Sequence, residues 1–385
     1  MGFDETVNRR GSNSIKWDAS HDPQVLPMWI ADMDFKSPAS IEGALTDRAK
    51  HGVYGYTKIP DAFYDAIVGW WKNYHELNVE RDLILPVSGV MPAIAAIIRC
   101  FTKPGQKVII QSPVYNRFFE AVQNCGCTVV ENSLLNLDEG YSIDFDDLEI
   151  KASDPETKLL LLCNPQNPVG RSWRKEELDR LAIICSKHDL IVVSDEAHCD
   201  LAYDGHRHIP FASIASKYDV PCFTCGSPGK TFNLSGLQVA YIFCPKNMKS
   251  IVEKQLEGAK ELNAFAVEGL IAAYADNNYE WLRDLKVHLI GNFSYLKEFC
   301  ETRLHKVKVT KLEATYLVWL DCRAFGKTSR ELHSHFLKNE KLWVVPGHIY
   351  GSAGEGFLRI NIASSRSIVE EGLLRLERGL QSKSK

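Results

Sequence analysis

The sequence predicts an α/β protein, a large domain with a mostly parallel central sheet joined to a smaller α+β domain. Three observations carry that prediction. Short continuous apolar runs alternate with helix-length amphipathic stretches through the middle of the chain. The pattern then turns helical from about residue 247 to 305, and strand-like runs resume after it.

Taken in order, the strands of the large domain are "KVIIQSP" (107–113), "KLLLLCNP" (158–165), "LIVVSDE" (190–196), "PCFTCG" (221–226) and "VAYIFC" (239–244). The stretch "RKEELDRLAIICSKH" (174–188) has the period of a helix between two of them. The later strands are "TYLVWLD" (315–321), "LWVVPG" (342–347) and "GFLRINIA" (356–363). These place the large domain at 46–285 and the small one at 1–45 plus 286–385.

Composition narrows the function. The chain has 385 residues, 45% apolar and 24% charged, with a net charge of −4, and no basic stretch that would attract nucleic acid. No run approaches the roughly eighteen apolar residues of a membrane helix. The polar start "MGFDETVNRR" lacks an apolar signal core, so a cytoplasmic protein is expected. Eleven cysteines lie scattered in apolar segments and read as reduced structural thiols. "CFTC" has no second CxxC or close histidine pair to complete a metal set, so no metal is expected.

Polar segments sit just after the apolar strands: "SPVYNRF", "NPQNPVG", "DEAH" and "GSPGK". Ligands of open α/β sheets bind at the carboxyl ends of strands, so four such ends point to one shared site. A nucleotide phosphate is the first candidate. However, a Walker loop ending at Gly229–Lys230 needs glycine at 224, where the chain has Thr224, and its acid should follow the loop, whereas Asp195 precedes it. An ATPase is excluded on both spacing and order.

An aldehyde cofactor, pyridoxal phosphate, fits better. It needs a lysine to bond the aldehyde, an acid at the pyridine nitrogen, a ring to stack on, and donors for the phosphate and phenolic oxygen. The candidates are Lys230, Asp195 and Tyr115, then Ser88, Gly89 and Val90 with Ser227 for the phosphate, and Asn167 with His198 for the phenolic oxygen.

With Asn167 in "NPVG", Asp195 in "SDEAH", Lys230 in "GKTFNLSGL" and Arg359 in "FLRINIA", the chain resembles the pyridoxal-phosphate enzymes of the aspartate-aminotransferase fold, fold type I. Within them, "GSNSIKWD", "VLPMWIADMDFKSP", "HGVYGYT", "NPVGRSW" and "HIPFASI" resemble the C–S β-lyases of the cystathionine β-lyase and cystalysin type, the MalY/PatB group. The resemblance spans nearly the whole chain. It implies that Lys230 carries the Cα proton, that Arg359 grips the substrate carboxylate, and that Asn167 serves both cofactor and substrate. It also implies a homodimer in which Tyr56 reaches the partner's cofactor, with Tyr54 two residues away as the alternative. Three positions depart from the wider family: Gly229 replaces a serine, Gln166 a frequent histidine, and Gln238 an arginine eight residues after the lysine. Without that arginine, phosphate binding leans on the amides of "SGVMPA", where a helix N-terminus attracts anions.

The shared residues serve two reactions equally. A β-lyase expels a thiolate from an S-substituted cysteine and yields pyruvate and ammonia, whereas an aminotransferase releases a keto acid. The subgroup resemblance favours the lyase, with Trp29 and Tyr56 as candidates to line a sulfur-side-chain pocket. A binding protein without catalysis is the remaining reading, and the intact Lys230–Asp195–Arg359 set argues against it.

Overall fold

The computed structural model describes residues 2–137, 140–256 and 258–381. Its centre is a seven-stranded sheet built from β1 (Ile84–Val87), β2 (Lys107–Ile110), β3 (Thr128–Glu131), β4 (Thr157–Cys163), β5 (Ile191–Asp195), β6 (Cys222–Gly226) and β7 (Ala240–Phe243). Their spatial order is β1-β7-β6-β5-β4-β2-β3. Strand β7 runs antiparallel to β1 and β6, and every other pair is parallel.

A strand covered by helices on both faces needs no polar side, which explains the unbroken run in β4. Leu159, Leu161 and Cys163 pack into the core on one face, and Leu160 and Leu162 into the core on the other. The two edge strands, β1 and β3, escaped the sequence reading. The first is short and contains Pro86, which an edge tolerates, and the second is only half-buried.

The helices that bear on the site are α1 (Ala39–His51), α2 (Asp61–His75), α3 (Val90–Phe101) and α4 (Lys175–Lys187), the last at the position its period predicts. The helical region consists of Lys249–Gln255, α5 (Ala264–Ala273) and α6 (Tyr279–Arg303), and α6 runs through residue 285 without a break. A four-stranded antiparallel sheet follows, of β8 (Lys308–Val309), β9 (Leu317–Asp321), β10 (Val345–Pro346) and β11 (Phe357–Asn361), in the order β8-β9-β11-β10. The segment "LWVVPG" divides between two sheets, because Leu342–Trp343 pairs with Leu26–Pro27 while Val345–Pro346 pairs with β11.

The turn after β4 is pressed against the small sheet. Gly170 has φ +72°, and a Cβ there would lie 2.8 Å from Leu312 Cδ1, so both backbone and space call for glycine. All eleven cysteines are free thiols. Among the described residues no helix is long and apolar enough to cross a membrane.

Candidate active site

The strand ends place the site residues side by side. Asp195 is the last residue of β5, Lys230 lies in the turn after β6, and Asn167 lies in the turn after β4. Arg359 comes from β11 in the small sheet. Its Nη1 donates to Asn167 Oδ1 at 3.0 Å and its Nη2 to the Trp29 carbonyl at 2.7 Å. The guanidinium also lies over the Tyr350 ring, 5.1 Å from its centroid. The turn after β4 and the small sheet therefore meet at an arginine held in a fixed plane.

Lys230 Nζ donates to the main-chain carbonyl of Ala31 at 2.7 Å. Burial pushes its ammonium down to about 8, against a partial opposing pull from Asp32; Arg359 deepens the fall and Asp195 resists it. A lysine in that range readily holds or gives up a proton near neutrality.

Asp195 is buried and accepts one side-chain hydrogen bond, from the Ala197 N–H at 3.1 Å. No cationic side chain pairs with it among the described residues. Burial raises its carboxyl to about 6. His198 is buried with Nδ1 lacking any hydrogen-bond partner, and burial, then Lys230 and Arg359, push its imidazole down to about 3. The Nε of Arg359 is likewise unpartnered. Tyr115 is close enough to Asp195 and Arg359 for both charges to act on its hydroxyl, which burial raises.

Buried polar groups are normally satisfied, because desolvating one without a partner is costly. A carboxyl without a cation, an imidazole nitrogen without a partner and a depressed lysine, gathered at one set of strand ends, fit a ligand with a protonated ring nitrogen, a hydroxyl and an aldehyde. These residues fit pyridoxal phosphate.

The phosphate candidates are close by. Val87 pairs with Ala240, and the next residue back, Val239, accepts from Ser227 Oγ at 2.7 Å, so the Ser88–Gly89–Val90 turn lies beside the lysine loop. That turn leads into α3, with Gly89 as its N-cap. The Ser227 hydroxyl spends its proton on Val239 and accepts from the Gly229 N–H at 3.0 Å, which leaves the anion to the amides of α3. A Cβ at Gly229 would come within 3.1 Å of Ser227 Oγ, so the glycine there accommodates this loop.

Tyr56 is not brought to these residues. It is fully exposed, at 104% of its reference area, in a stretch without regular structure between α1 and α2. Tyr54 is tied back to the preceding helix α1, its hydroxyl donating to Ala49 O at 2.8 Å. Trp29 stacks on Trp343, with ring centroids 4.6 Å apart and planes 9° apart. Gln166 donates to the Gln111 and Pro113 carbonyls, a structural task, and Gln238 is an exposed residue in the left-handed region.

Sequence reading missed three contributors. The first is the Ala31 carbonyl. Asn361 is the second; its Nδ2 donates to the carbonyls of Ile30 and Asp32, both at 2.7 Å. The third is Asp200, behind the lysine loop. It accepts from Thr231 Oγ1 at 2.6 Å, His75 Nε2 at 2.7 Å and Trp70 Nε1 at 3.0 Å. His75, Cys199 and Asp200 lie close enough together to suggest a metal, but these donors already occupy both carboxylate oxygens.

This fold and site define a pyridoxal-phosphate enzyme class, and the chain belongs to it: residues 24–376 match the family Aminotransferase class I and II. More narrowly, it is similar to the cystathionine beta-lyase PatB of Bacillus subtilis (strain 168), at 42% identity over 99% of this chain and 100% of that protein. Among solved structures it is similar to cystalysin from Treponema denticola, which contains pyridoxal 5'-phosphate, with TM-score 0.94, 32% identity and coverage of 99% and 98% of the two chains. It is also similar to the pyridoxal-phosphate-bound C–S lyase of Staphylococcus hominis, with TM-score 0.93, 30% identity and full coverage of both chains, 100% each.

Proposed function

We propose that this chain is a pyridoxal-phosphate-dependent C–S β-lyase acting on S-substituted L-cysteines in the cytoplasm. The observation that carries the reading is the buried, cation-free Asp195 beside a lysine amine that burial has pushed down to about 8. When bound, the cofactor supplies an aldehyde for the substrate amine and a ring that takes up the electron pair left at Cα.

The chain's own residues do the rest. Asp195 would offer its charge to the ring nitrogen, His198 and Asn167 would serve the phenolic oxygen, and Tyr115 would stack on the ring. Arg359 grips the α-carboxylate, a task for which its planar fork is already oriented by Asn167 and Trp29. Lys230 Nζ takes the Cα proton. Loss of that proton and of the thiolate from Cβ, followed by hydrolysis, gives one thiol, one pyruvate and one ammonia per substrate. The amides of Ser88, Gly89 and Val90, with Ser227 shaping the loop beside them, would hold the phosphate.

Residues 46–285 serve as the cofactor domain, with 1–45 and 286–385 closing over the substrate. The full exposure of Tyr56, against the tethered Tyr54, supports a homodimer in which Tyr56 completes the partner's site.

The full-length similarity to PatB favours elimination over amino transfer. The test is incubation of the cofactor-loaded protein with L-cystathionine and no keto acid. Sustained pyruvate with equal homocysteine supports the lyase. A reaction that stops after one turnover and restarts only with added keto acid identifies an aminotransferase instead.

A further inference from the structure

The segment Trp29–Phe35 threads between the two domains and serves the site through its main chain. The Trp29 carbonyl accepts from Arg359, that of Ala31 from Lys230, and those of Ile30 and Asp32 from Asn361. Its two acids are held from the other side by the N-terminal stretch and Ser364, and unequally. Asp34 has four side-chain donors: Arg9, Lys16, Trp17 and Ser364, at 2.9, 2.7, 2.8 and 2.6 Å. The Asp32 carboxylate has Arg9 alone among the described residues, at 2.9 and 3.2 Å. Asp32 directly follows the residue whose carbonyl holds the lysine.

We propose that Arg9 and Asp32 are positioning residues for Lys230: Asp32 holds the proton on the lysine amine, and Arg9 weakens that hold by pairing with Asp32. The proposal rests on Lys230 being the reactive lysine. The Asp32 carboxylate, one residue beyond the carbonyl that holds the amine, favours the amine's charged form, and a guanidinium on the same carboxylate reduces the field to that of a pair, which falls off faster with distance. The charges that act on the Lys230 amine are Asp32 on the segment, Arg359 on β11 and Asp195 at the end of β5, and the amine acts in turn on His198. Around Asp32 lie also Lys16, whose Nζ donates to the Asp32 carbonyl at 3.0 Å, and the buried Tyr316 hydroxyl. Arg359, Asp195 and His198 bind cofactor or substrate in the proposed reaction. Asp32 has no role in that reaction, and its carboxylate is paired with Arg9, which makes the Arg9–Asp32 pair the candidate for tuning the lysine.

The proposal predicts shifts of opposite sign. Full-length protein freed of cofactor is labelled with acetic anhydride across a pH series, and acetylation of the Lys230 peptide is followed by mass spectrometry against the remaining lysines. Asp32→Asn moves the midpoint for Lys230 down by about one pH unit, and Arg9→Gln moves it up by a similar amount. Arg9→Lys returns it most of the way.

A merely structural role gives another result, because loosening the segment hydrates the amine and raises the midpoint in both variants. An upward or absent shift in Asp32→Asn therefore overturns the proposal, even if Arg9→Gln does not fold. A wild-type midpoint at the ordinary lysine value of about 10.4 overturns the reading of Lys230 itself and this proposal with it. A depressed wild-type midpoint with unmoved variants overturns the charge pair alone.

Discussion

Asp195 and Asp200 stand five residues apart in sequence and are both buried, and their surroundings are opposite. Asp200 receives Thr231, His75 and Trp70. Burial, the largest single influence, would raise its carboxyl, but His75, Thr231 and Trp70 together outweigh that and hold it below the ordinary range. Asp195 receives one amide hydrogen and is raised to about 6. The fold completes one acid and leaves the other waiting. A completed acid ties together α2, the turn after β5 and the lysine loop, and is architecture. An incomplete one, retained at an energetic penalty, marks where a ligand finishes the structure.

The largest effect is expected at Asp195. Asp195→Asn should lower kcat/KM for elimination by about 10³-fold, because a preorganised charge is lost where the ring nitrogen binds. Steady-state kinetics at saturating cofactor check this. Asp200→Ala should act on stability instead. Removing it strands His75, Thr231 and Trp70 and is expected to destabilise the protein by about 3–5 kcal/mol, read by urea denaturation.

The two acids should also differ in sign. The folded-state value of about 6 for Asp195 lies above its ordinary 3.8, so the folded protein binds that proton more tightly than the unfolded chain. The associated stability is present below pH 3.8 and is lost as pH rises through 6. Asp195→Asn should therefore stabilise the cofactor-free protein at pH 7 by about 2–3 kcal/mol, the reverse of Asp200→Ala. An unchanged or lowered urea midpoint at pH 7 would remove the contrast.

Thr231→Val sharpens the picture at smaller scale. It leaves one Asp200 oxygen without its donor and should destabilise by about 1–2 kcal/mol. Smallest of all in stability terms is Tyr56→Ala. The side chain is exposed in the single chain, so thermal unfolding should not move, while elimination falls if the residue completes a partner's site.

Lys230, Asp195 and Asn167 stood out in the sequence because each is a residue type with few alternatives at or just beyond a strand end, whereas Arg359, in the middle of β11, was marked only by the resemblance carried by "FLRINIA". The central strands were legible because burial on both faces writes an unbroken apolar run. Edge strand β3 is only half-buried, and β1, though buried, is four residues long and contains Pro86, so neither carries such a signal. Asp200 was missed for a different reason: its donors come from residues 70, 75 and 231, and sequence proximity reveals none of that. Ser227 was read as a phosphate donor from its type and place, yet its hydroxyl proton goes to Val239, a backbone acceptor that only the fold brings near.

The Ala31 carbonyl is invisible to any reading by residue type, since every residue offers one. That gives the contact an unusual heredity. No point substitution at position 31 deletes the oxygen that receives Lys230; only a change in the course of the chain does. A lineage can therefore remodel the side chains of this segment, and with them the shape offered to new thiols, while passing on the lysine's resting place intact.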